Sequence, residues 1–111
     1  MIDTHYQPIY KQAAATQYKF HDFTHNAAYD PAAKAMRNQM HALTNDLAHN
    51  KDPRAVERRI RNIQLQVRRS QTANPGVMPG QPPSILNRNQ SQFLNRNLES
   101  MRRNIAQHPN F

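Results

Sequence analysis

Residues 53–71 read PRAVERRIRNIQLQVRRSQ, and the spacing of their β-branched residues decides the fold. Val56, Ile60, Ile63 and Val67 recur at intervals of four, three and four, the repeat that stacks side chains on one face of an α-helix. Opposite that seam fall Arg54, Arg58, Arg61 and Arg68, with Glu57 as the acidic residue of the segment. One helix therefore carries an apolar seam on one side and a guanidinium stripe on the other.

The segment opens on Asp52–Pro53, an N-cap followed by a first-turn proline, whose ring is pre-set for the first helical position. Asp30–Pro31 repeats this punctuation and starts a helix with Ala33, Met36, Met40, Leu43 and Leu47 on one face. Upstream, Pro8 precedes a third such stripe of Ile9, Ala13, Thr16, Phe20, Phe23 and Ala27. The spacing predicts helices near 8–27, 31–50 and 53–71, together a helical core over residues 1–71.

Beyond it, residues 72–83 hold both glycines and four of the eight prolines, a composition that reads as an extended linker. Ser84 is placed to cap a last amphipathic helix over 84–108, with Leu94, Leu98, Met101 and Ile105 as its stripe. No strand-like alternation occurs. The expectation is an all-α protein: a small helical bundle, or a helical hairpin of three helices, with a linker-tethered C-terminal helix. The narrow stripes resemble coiled-coil seams, which favours antiparallel hairpins or pairing between chains, so a homo-oligomer is expected.

Charge divides the chain in the same way. Residues 1–52 balance five basic side chains against five acidic ones. Residues 53–111 carry ten arginines, no lysine, and only Glu57 and Glu99 in opposition, so the net charge of +8 belongs to this half. Arginine offers a planar, multi-donor head for carboxylates, phosphates and aromatic faces. The pattern marks a binding surface formed by Arg54, Arg58, Arg61 and Arg68 together with Arg96, Arg102 and Arg103. Tyr10, Tyr18, His21 and His25 form a second amphipathic stripe on the first helix, of the kind found at packing edges and protein interfaces.

An acidic protein is the first expected partner. Nucleic acid is the alternative, because Arg beside Asn and Gln supplies base-edge donors and acceptors. Against it stand the missing helix-turn-helix corner, zinc-finger spacing and base-stacking sheet. Membrane insertion is disfavoured, since the basic helices lack large apolar residues and no long apolar run exists.

Catalysis is not expected. The chain has no cysteine, its glycines lie outside any phosphate-loop pattern, and none of its four serines sits in a nucleophile elbow. His21 and His25 have the one-turn spacing of paired metal ligands but lack an evident third and fourth, so no metal or cofactor is expected. A mean hydropathy of −0.98 and the absence of a signal-peptide pattern leave the cytoplasm as the default location.

Overall fold

The computed structural model describes residues 1–27, 30–72 and 85–111. They form four α-helices and no strand: α1 (Gln7–Phe23), α2 (Pro31–Ala48), α3 (Pro53–Thr72) and α4 (Arg88–Ala106). The start of α1, the end of α2, the start of α3 and the end of α4 meet at one end of the molecule, so the helices alternate up and down. Each helix packs on two neighbours in a closed ring, α1–α2–α3–α4 and back to α1, with α3–α4 the most extensive contact. The resulting rod measures 50 × 21 × 19 Å.

The seams read from spacing form the core. Ile9, Ala13 and Phe20 of α1, Met36, Met40, Leu43 and Leu47 of α2, Val56, Ile60, Ile63 and Val67 of α3, and Leu94, Leu98, Met101 and Ile105 of α4 are all buried in one cluster. Removing each large side chain from water stabilises the fold by about 1.5–3 kcal/mol. Because α4 supplies a quarter of this wall, it is an integral element of the bundle.

Three local expectations need correction. The first helix does not run to Ala27. It ends at Phe23, where the Thr24 backbone N–H and the Thr24 hydroxyl both donate to the Phe20 carbonyl, and a 3-10 turn follows at His25–Ala27. The second stops at Ala48, because Asn50 turns into the left-handed region at φ 54° and closes the helix end. Asparagine tolerates that conformation better than most residues. The fourth helix starts at Arg88 rather than near Ser84. Its cap is Asn87, whose side chain accepts from the Gln90 N–H while the Gln90 side chain accepts from the Asn87 N–H. This reciprocal pair satisfies two donors that a helix start otherwise leaves open. The linker proposed for 72–83 and Ser84 itself fall, apart from Thr72 at the end of α3, outside the described residues.

Candidate functional site

With its seam buried, α3 turns Arg54, Arg58, Arg61, Leu65 and Arg68 outward, all exposed, at spacings of four, three, four and three. Arg69 flanks the row. The helix is twenty residues long, about 30 Å, and the row from Arg54 to Arg68 covers about 21 Å of it. Leu65, set between Arg61 and Arg68 in this row, is 45% exposed, one of the few large apolar side chains left in water.

The arginines of this ridge do not share one environment. Arg61 pairs with Glu57 at 2.7 Å, while its own side chain stays 61% exposed. Arg102 of α4 pairs with Glu99 and lies 3.6 Å from Glu57, linking the two helices. Gln64 donates to Glu99 at 3.0 Å, and Arg103 stands 3.7 Å from the same carboxylate. Hydrogen bonds from Arg102, then from Gln64, hold the Glu99 carboxyl well below the usual range, at about 2. Two carboxylates thus pin three of the expected partner-binding arginines along the α3–α4 seam. Arg54 donates to the Phe111 main-chain oxygen at 2.8 Å and lies 5.9 Å above the Phe111 ring. Among the described residues Arg58 makes only a 3.5 Å contact, to the carbonyl of Arg54 on its own helix. Arg69 and Arg96 have no partner among the described residues. Arg59, absent from the expected set, is turned to the other side of α3, where it binds Asp46 and Gln39 and ties α3 to α2.

The tyrosine–histidine stripe separates into two parts. Tyr10 is half-buried against the core, whereas Tyr18, at 72% exposure, and His21 face outward. Tyr18 and His21 line an open groove of about 350 Å³ with Ala14, Gln17 and Arg37, between α1 and α2. His25 is exposed beyond the end of α1. Because α1 stops between His21 and His25, one continuous helical face does not present both rings.

A second side-chain cluster escaped sequence reading altogether. Asp3, His5 and His108 meet where the N-terminal segment, the α2–α3 turn and the C-terminal segment converge. Asp3 Oδ1 accepts from the His5 backbone N–H at 2.8 Å and lies 3.3 Å from His5 Nδ1. Asp3 Oδ2 lies 3.3 Å from Nε2 of His108. Asn50 locks the cluster in place, accepting from the Asp3 N–H and donating to the Met1 carbonyl, and Tyr6 donates its hydroxyl to the Lys51 carbonyl. Burial, with Asp3 and Asp52 nearby, pushes the Tyr6 phenol up to about 12. Separations of 105 and 47 residues hide these contacts from any local pattern.

No family model, curated protein or solved structure matches the chain. The functional reading therefore rests on the geometry above. No helix among the described residues is long and apolar enough to cross a membrane.

Proposed function

We propose that the protein is a non-enzymatic interaction module that docks the outer ridge of α3 on an acidic protein surface. The observation that carries this reading is Leu65, exposed within a row of arginines and flanked by Arg61 and Arg68. A phosphate backbone rewards charge along its track and gains nothing from a central apolar residue. A protein interface uses an apolar anchor surrounded by guanidinium groups, and arginine is enriched among its energetic centres.

The carboxylates support the same choice. Glu57 and Glu99 lower the positive potential along the α3–α4 seam, which weakens a phosphate clamp, yet they orient Arg61 and Arg102 for directed contacts to a partner's carboxylates. A second copy of the chain does not suit this ridge, because arginine would face arginine. Any homo-oligomer would use another surface, such as the α1–α2 groove beside Tyr18.

Nucleic acid remains the second reading, favoured by Arg96 and Arg69, whose donors have no partner among the described residues. The test is fluorescence anisotropy with three probes over a salt series: a helical peptide with glutamates flanking one leucine, random duplex DNA and single-stranded RNA. The proposal expects the peptide to bind more tightly than either nucleic acid near physiological salt. It also expects the double substitution Arg58→Glu and Arg69→Glu to remove that binding without changing helicity by circular dichroism. Tighter binding to DNA or RNA, with log affinity falling linearly against log salt, would replace this reading with the nucleic-acid one.

A further inference from the structure

We infer that Asp3, His5 and His108 form a divalent-metal site of zinc type that staples the two chain termini together. A tetrahedral zinc ion with oxygen and imidazole ligands at about 2.0–2.1 Å sets its donor atoms about 3.3–3.4 Å apart. Each imidazole nitrogen already lies at such a separation from the Asp3 carboxylate, His5 Nδ1 3.3 Å from Oδ1 and His108 Nε2 3.3 Å from Oδ2. All three donor atoms lie within 4.8 Å of one another. The His5 and His108 rings are tilted at 59° with centroids 5.2 Å apart, and the exposed His5 has room to turn its nitrogen towards an ion shared with Asp3 and His108.

The two histidines serve different roles. His108 is held rigidly: its side chain is 6% exposed and packs against Tyr6 at 5.1 Å between centroids. His5 is 56% exposed, which leaves an entry path and an open fourth position for water. Two imidazoles, one carboxylate and one open position match the borderline donor preference of zinc.

The hydrogen bonds within the cluster also specify what binding must change. The Asn110 backbone N–H donates to His108 Nδ1 at 3.0 Å, so neutral His108 carries its proton on Nε2 and donates to Asp3. A metal on Nε2 displaces that proton. The ring stays neutral by taking a proton from solvent at Nδ1, and the Asn110 N–H turns away from it. His5 makes the matching exchange: Nδ1, which faces the Asp3 carboxylate at 3.3 Å, gives up its proton to bind, and the exposed Nε2 takes one from solvent.

The test combines calorimetric titration with zinc, absorption with cobalt(II) as a spectroscopic substitute, and long-range proton–nitrogen NMR of the histidine rings. The expected result is one ion per chain, a tetrahedral cobalt spectrum, and transfer of the His108 proton from Nε2 to Nδ1 on loading. Loss of supporting contacts around a metal typically costs about 10–100-fold in affinity, so losing a ligand should cost more than about tenfold. His5→Ala and Asp3→Asn should each show that loss with helicity retained, while His21→Ala and His25→Ala bind as the parent does. His108→Ala is the weaker test, because this ring is part of the packing. Binding that survives His5→Ala, follows His21 instead, or leaves the His108 tautomer unchanged would overturn the assignment.

Discussion

Leu65 and Leu98 show how differently two leucines of this chain are used. Leu98 is fully buried in the wall between α4 and its neighbours. Replacing it with alanine should destabilise the bundle by about 2–5 kcal/mol, read as a lower denaturant midpoint. Leu65 touches water on the α3 ridge, so Leu65→Ser should leave stability within about 0.5 kcal/mol. It should nevertheless weaken binding of an acidic helical peptide, as anisotropy would report. Asn87 belongs at this scale too. Asn87→Ala removes one half of a reciprocal cap and should cost about 1 kcal/mol of thermal stability, with the same substitution at exposed Asn89 as the control. The spacing of apolar residues revealed which leucines are core. It did not reveal Asn87, because Ser84 offers an equally good capping residue three positions earlier, and only the Gln90 side chain reaching back separates the two.

Between elements, the α3–α4 seam combines an apolar contact with a carboxylate–guanidinium network. Glu99 titrates at about 2 instead of its ordinary 4.5, chiefly because Arg102 hydrogen-bonds its ionised form. A depressed carboxyl contributes stability that is present above its unfolded value and lost as pH falls through the folded one. Acid unfolding should therefore show a component between about pH 4.5 and 2 that disappears in Glu99→Gln. An equal acid dependence in that variant would mean that other carboxyls carry it. This network was illegible in the sequence for a specific reason. Glu57, Gln64, Glu99 and Arg102 each belong to a recognisable helix, but the axial register of α3 against α4 decides which residues meet. The same limit applies to Arg59, which looks equivalent to Arg58 in the sequence. A step of one residue is about 100° around a helix, so Arg59 reaches Asp46 on α2 while Arg58 faces water.

Across the whole molecule, charge and chain ends are arranged separately. The ten arginines of the second half all sit on α3 and α4, so the positive surface occupies one side of the rod. The other side, built by residues 1–52, is balanced. That division was legible from composition alone, because the two halves of the chain become the two sides of the bundle. The clasp at the far end was not: Asp3, Asn50 and His108 come together only after all four helices have packed. The account's central claim concerns the charged side, and amide chemical-shift mapping tests it most directly. Isotope-labelled protein would be titrated with a glutamate-rich helical peptide carrying one central leucine. The account predicts that the perturbed amides run along α3 from Arg54 to Arg69 and include Leu65. Perturbations confined to the α1–α2 side, or spread evenly over every basic residue, would contradict it.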